Sequence, residues 1–261
     1  MRRVLTNILV IYVCVLGALL SFAASAQTTI RVLAYPFPPF LNEDLKTGLT
    51  PELLDLFNLI QDDFDFQLYV TKPEERYENL LDGKQDMILF EMPKWSWDNK
   101  KDKVKFTRQL MKGGEVYVAK RGKQPQYELF ETVTSRHIAA YQGYHYAFAD
   151  YNSDRKWLKE NFKISFANSH YEIMDLVRDN KAEVGVVTLS FLKRYFIEKP
   201  EQIAEFEVSE NFAQVYDLKA VIRKNAPISV KEFELVLTKL KKDFVLQKFL
   251  EKNGIIRQWS F

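Results

Sequence analysis

From Glu91 to Trp97 the chain places a carboxyl, an amine, a hydroxyl and two indoles within one short run, and these are groups suited to gripping a small solute. The run follows Met87, Ile88, Leu89 and Phe90, a continuous apolar stretch of the kind that forms a strand buried on both faces, which Glu91 and Pro93 then stop. In open α/β sheets ligands bind beyond the carboxyl ends of strands, so Glu91, Met92, Lys94, Trp95, Ser96 and Trp97 are expected at a binding edge. The plainer account of the same residues is a surface loop with two half-buried tryptophans.

Other chemistry lacks its residues. His137, His145 and His170 fall in separate segments, with no co-ligand at helical spacing, so no metal is expected. The sequence contains no Gly-x-Ser-x-Gly elbow, phosphate loop or Gly-x-Gly-x-x-Gly, which leaves acyl transfer and nucleotide chemistry without support, and no cofactor is expected. Glu183 is an acid near a strand but precedes it, so a structural role is expected. Binding features are better represented. Tyr35 and Phe37, in a proline-broken aromatic run after the strand Thr29 to Ala34, suit a cleft wall or a rigid turn packed on its own lobe. Gln142 and Gly143 lie between a strand and an expected helix start at Tyr144, where free N–H groups could receive an anion. Thr188 and Ser190 stand at the end of another buried strand.

The elements that must position these groups alternate. Thr50 and Pro51 are expected to cap and open a helix carrying Leu53, Leu54, Phe57 and Ile60, and Glu74 to Asp82 a second that Gly83 ends. After Gly122 the alternation restarts: His137 to Tyr141 as strand, Tyr144 to Tyr151 and Lys156 to Asn161 as helix, Ile164 to Phe166 as strand, Tyr171 to Asp179 as helix. The run from Asp179 to Val187 then repeats that from Asp82 to Phe90: helix end, left-handed cap, lysine, acid, buried strand. Two α/β lobes sharing one unit are implied, with Thr188 and Ser190 facing the Glu91 loop across the gap. Gln214 to Arg223 is expected as a strand, and Ser229 to Leu250 as long helical periodicity with Lys239, Lys241 and Lys242 on its solvated face.

Composition is consistent with an exported globular protein. Arg2, Arg3, the apolar run from Ile8 to Ala24 and the small residues Ala24 and Ala26 have the form of a cleavable signal peptide over 1–26. The only cysteine, Cys14, falls inside it, so the remaining chain is expected to fold without disulfides on its 47% apolar composition. Lys and Arg number 37 against 35 Asp and Glu, and with Arg2 and Arg3 removed the balance is even, which argues against nucleic-acid or anionic-membrane partners.

IRVLAYPFPPF, TGLTPELLDL, ERYENLLDGKQDMILFEM, VYVAKRG, AAYQGY, DNKAEVGVV and LKAVIRKN, in this order, resemble the type 2 periplasmic solute-binding proteins, in the branch of polar amino-acid receptors. The resemblance implies an α/β, two-lobed fold with a hinge of two crossovers, near Ala119 to Gly122 and Gln214 to Tyr216. Lobe 1 would be 27–119 and 217–261, and lobe 2 would be 120–216. It also implies a monomer that captures a small-molecule solute in the periplasm for a membrane transporter or sensor, without catalysis. Two departures stand out. Amino-acid receptors usually carry an arginine in the loop after the Asp86 to Phe90 strand, where this chain reads PKWSWDNKKDK, and an aspartate where it has Leu189. A standard α-amino acid is therefore not expected. Arg76 resembles a basic residue of divergent members and is the remaining candidate for an anion contact. Two alternatives stay open: a dehydratase-like enzyme with Glu91 as general acid, and a partner-binding protein with a degenerate cleft.

Overall fold

The computed structural model describes residues 27–122 and 127–261, with the side chain of Tyr127 excluded; the expected signal peptide lies outside the described residues. The strands are β1 (Thr28–Ala34), β2 (Phe64–Val70), β3 (Met87–Glu91), β4 (Val104–Phe106), β5 (Met111–Lys120), β6 (Ile138–Tyr141), β7 (Ile164–Ala167), β8 (Val184–Thr188), β9 (Phe206–Val208) and β10 (Gln214–Arg223). They form one path in the order β2-β1-β3-β10-β5-β8-β6-β7. Within it lie two parallel triplets, β2-β1-β3 and β7-β6-β8, each continued by one antiparallel strand, β10 or β5. β5 and β10 also pair with each other.

This pairing makes β5 and β10 the two crossovers. β5 pairs with β10 over Met111 to Glu115 and with β8 over Glu115 to Val118, so its partner changes at Glu115. Residues 116–119, expected in lobe 1, therefore already pair with β8 and β9 of the second triplet. β10 uses Gln214 to Leu218 against β5 and Lys219 to Ile222 against β3.

The repeated unit occupies equivalent places in the two halves, since β3 and β8 are the parallel strands next to the crossovers. Gly83 and Asn180 both adopt the left-handed cap conformation, with φ of 78° and 59°. The acid that follows ties the strand to its parallel neighbour in each half: Asp86 Oδ2 accepts from the Arg31 backbone N–H, and Glu183 Oε2 from that of His137. Asp86 is fully buried and also accepts from Arg31 Nε and Nη2, at 2.9 and 2.8 Å, and from Arg223 at 3.0 Å, so one carboxylate joins β1, β3 and β10.

Local chemistry moves several expected elements. The first helix is Leu49–Ile60 rather than one capped by Thr50. It begins after Gly48, whose φ of 137° and approach to the Phe40 carbonyl, 2.6 Å from where a Cβ would sit, require glycine. The helix expected over Tyr144 to Tyr151 is absent. A single 3-10 turn, Ala147–Ala149, stands there, followed by left-handed Asp150 and Tyr151. The final periodic run is two helices, Val230–Lys242, opened by a Ser229–Glu232 capping box, and Phe244–Lys252, opened by Asp243, whose side chain accepts from the Val245 N–H. Phe233 of the first packs on Phe57 and Phe66, returning the C-terminal segment to the β1–β3 half.

Burial alone would raise the Asp86 carboxyl, but the Arg31 and Arg223 hydrogen bonds outweigh it and hold the group below its ordinary value. Asp86→Ala is expected to cost about 2–3 kcal/mol in urea denaturation at pH 7, discounted because both arginines remain partly solvated. In the wild type this contribution is present above the ordinary carboxyl range and is lost as pH falls through the depressed one.

Candidate functional site

Where β5 exchanges partners, the two halves meet over a cavity of about 10 Å³, room for one water-sized group. The β1–β3 half contributes Tyr35, Phe37, Arg76 and Trp95; the turn after β6 contributes Gly143, Tyr144 and His145; the crossovers contribute Glu115 and Tyr216. Phe37 is the centre of the ring packing, edge-on to Trp95, Tyr144 and Tyr216 with centroids 5.5–5.8 Å away. Its position follows from the proline-rich break after β1, which turns the chain back so that Phe37 and Leu41 form an isolated bridge.

Glu91 is fully buried and lies behind the cavity wall, outside its lining. Phe90, with φ of 63°, and the register shift between Lys219 and Val221 on β10 place a bulge at this strand end. A left-handed bulky residue is costly, and here it lets Phe90 and Glu91 both turn inward. Glu91 Oε2 accepts from the Trp97 indole at 2.6 Å, and Oε1 lies 3.0 Å from Arg76 Nε, close enough for an ion pair but not aligned as a hydrogen bond. Burial raises the Glu91 carboxyl, with the Arg76 guanidinium opposing; for Arg76, burial works against the charge and Glu91 overrides it, keeping the guanidinium protonated. Arg76 is sandwiched between the Tyr35 and Tyr77 rings, 4.7 and 4.4 Å from their centroids, and donates to the Pro73 carbonyl. The proposed anion contact is thus taken by an internal carboxylate.

Trp95 and Trp97 are buried rather than half-exposed. Trp95 reaches across the interface, its indole donating to Gln214 Oε1 at 2.8 Å, while Gln214 Nε2 donates to Glu115 Oε2 at 2.9 Å and to the His145 carbonyl at 2.8 Å. Tyr144 donates to the Pro36 carbonyl and Thr188 to that of Pro38 while capping the helix Leu189–Glu198, so both join the halves. Two expectations are corrected. Gln142 accepts from Arg155 away from the cavity, and no helix follows Gly143 to offer an anion site; Gly143, at φ 80°, instead allows the close approach of Pro73 and Glu74. Ser190 lines a separate crevice with Lys193 and the C-terminal residues Asn253 and Gly254.

Sequence reasoning passed over Glu115, His145, Gln214 and Tyr216. The available signal was an acid inside an apolar strand, directly after Gly113 and Gly114; a Cβ on Gly114 would meet the Gln214 carbonyl oxygen at 2.5 Å, so the backbones there run unusually close. His145 Nδ1 is 2.5 Å from the Tyr151 carbonyl and so carries a proton, and Nε2 lies 2.6 Å from the Tyr77 hydroxyl, whose single proton is also directed at the Trp95 carbonyl 2.8 Å away. Burial, reinforced by Arg76, lowers this imidazole to about 3, so it is neutral. Burial pushes Glu115 up to about 7 against the opposing pull of Gln214 and of the neighbouring Tyr216 hydroxyl, which is close to the carboxyl but outside strict hydrogen-bond alignment. Among the described residues there is no group of His, Cys, Asp and Glu able to hold a metal, and no helix is long and apolar enough to cross a membrane.

Because folded Glu115 holds its proton more tightly than the unfolded chain, its contribution is complete below about 4.5 and is lost as pH rises through about 7. Urea denaturation between pH 5 and 8 is expected to show wild-type stability falling relative to Glu115→Gln by up to about 3 kcal/mol. Parallel curves for the two proteins would contradict the buried, uncompensated acid.

No protein-family model matches the sequence, and no curated protein is matched. Solved structures do match. An ancestral arginine-binding protein bound to arginine superposes with a TM-score of 0.66 at 19% identity, over 87% of this chain and 98% of its own. A histidine kinase sensor domain with similarity to periplasmic binding proteins gives 0.67 at 14%, over 90% and 99%. The GluR0 ligand-binding core from Nostoc punctiforme, in complex with L-glutamate, gives 0.63 at 15%, over 85% and 98%. With its two α/β halves joined through β5 and β10, the chain therefore has the two-lobed fold of these periplasmic-binding-protein structures.

Proposed function

We propose that this is a periplasmic solute-binding protein of the flytrap kind, exported by a cleavable signal peptide. It takes a small polar solute between lobes spanning 27–115 with 219–261 and 116–218, and presents the closed form to a membrane transporter or a sensor. The observation that carries the reading is the cavity at the strand exchange, walled by both halves and holding a buried acid. The similarity to binding proteins for arginine and glutamate and to a kinase sensor domain supports solute capture or sensing in general.

A standard α-amino acid fits this site poorly. Its carboxylate would need a free guanidinium, and Arg76 is paired with Glu91. Lys94 lies over the Tyr151 ring and Lys100 bonds the Ser96 carbonyl, so neither replaces it. Glu91 as a general acid is also disfavoured, because Trp97 and Arg76 occupy its oxygens and it does not line the cavity.

The third reading, a partner-binding protein with a degenerate cleft, draws support from the rings and the Trp95–Gln214 hydrogen bond that already fill the junction. The readings separate in a thermal-shift panel of organic cations, organic acids, sugars, amino acids and short peptides. A solute present at about a hundredfold its Kd adds ~2.7 kcal/mol, a rise in Tm of about 5–10 °C. A panel that moves nothing would remove the solute-binding reading in favour of the partner-binding one.

A further inference from the structure

From the charges and rings around the central cavity, and resting on the solute-binding reading, we infer that the site takes the ammonium head of an organic cation, with Glu115 as its counter-charge. The formal charges decide the sign. Arg76 and Glu91 cancel as a buried pair, His145 is neutral, and among the described residues Glu115 forms no ion pair. Ionised Glu115 thus has no counter-charge in contact with it, so a carboxylate or phosphate beside it would add a second like charge whereas a cation would offset the first.

The walls suit the same group. Phe37, Trp95, Tyr144 and Tyr216 line the cavity, the last three with their rings at steep angles to Phe37, so four aromatic rings in differing orientations surround a group placed there. Aromatic boxes of this kind hold ammonium groups through the ring quadrupoles, most strongly where water is excluded. The buried Tyr216 hydroxyl beside the carboxyl is a further oxygen whose lone pairs can meet an N–H or a polarised N-methyl group. About 10 Å³ accommodates a water-sized head such as a primary ammonium; a larger head requires the Trp95 ring to leave its Gln214 contact as the halves part. This acid is not the receptor aspartate displaced, since that position is Leu189, the first helical residue after β8, whereas Glu115 comes from the crossover strand.

Isothermal titration of the full exported chain with methylammonium, tetramethylammonium and choline tests the inference. The controls are 3,3-dimethyl-1-butanol, the uncharged isostere of choline, together with acetate and glucose. At least one cation is expected to bind, with choline at least tenfold tighter than its isostere if choline is that cation. Glu115→Gln is expected to weaken cation binding at least tenfold and Glu115→Asp to retain most of it. Should Glu115→Gln fail to fold, the comparison of choline and methylammonium with the uncharged and anionic probes in the wild type carries the decision alone. Binding of the isostere, acetate or glucose in preference to every cation would overturn the cation inference and leave solute binding standing. If no probe of any class binds here or in the wider solute panel, both fall together.

Discussion

A carboxyl buried without a cation, at the residue where a strand changes partners, is the constraint around which this molecule is arranged. Glu115 belongs to β10's pairing on one side and to β8's on the other, so its side chain must sit where the two halves meet. Leaving it there unpaired would cost several kcal/mol, and the sequence offsets only part of that with one amide. Gln214, on the other crossover, offers its amide hydrogens to Glu115 and to the His145 carbonyl and its oxygen to the Trp95 indole. A single glutamine thereby links both crossovers, the loop after β3 and the turn after β6, and the ring cluster around Phe37 closes over it.

Three buried acids along the same sheet show three solutions to one problem. Asp86 is given two arginines and three hydrogen bonds from Arg31, and it serves as a structural tie. Glu91 is given one guanidinium, itself held by two aromatic faces, and becomes a neutral pair within the wall. Glu115 is given no charge at all. The first two are complete within the chain, whereas the third is completed only by a proton or by something that enters the cavity. That difference separates structural acids from the one with a functional reading, and it is a difference of partners rather than of burial.

Much of the architecture is legible in residue order. The Asp82–Phe90 and Asp179–Val187 repeat reports two equivalent halves because the same cap, acid and buried strand are needed wherever a helix turns into the strand beside a crossover. Tyr35, Phe37, Trp95, Gly143 and Tyr144 are legible as residues at strand ends and Arg76 through the family resemblance, and all six line one cavity. Their partners are not legible. Nothing local says that Arg76 spends its charge on Glu91, or that Gln214 stands between Trp95 and Glu115, 119 and 99 positions away, because those pairings exist only once the sheet has closed. The failed helix over Tyr144 to Tyr151 has the same origin: its apolar residues suit a helix, but Tyr146 bonds the Tyr141 backbone and Tyr151 offers its carbonyl to His145, so tertiary contacts override local preference.

The central claim is that the junction is a cleft that opens and closes rather than a permanently fused core, since only then can the acid at its floor meet a solute. Lys72 and Asn168 are exposed and line one crevice between the halves, one from each, and the chain's only cysteine lies in the expected signal peptide. Pulsed electron-spin distance measurements between labels on Lys72→Cys and Asn168→Cys test it most directly. The account predicts a second, longer population that Trp95→Ala enlarges and that a binding solute removes. One narrow distance, unchanged by Trp95→Ala and by every solute, would contradict it.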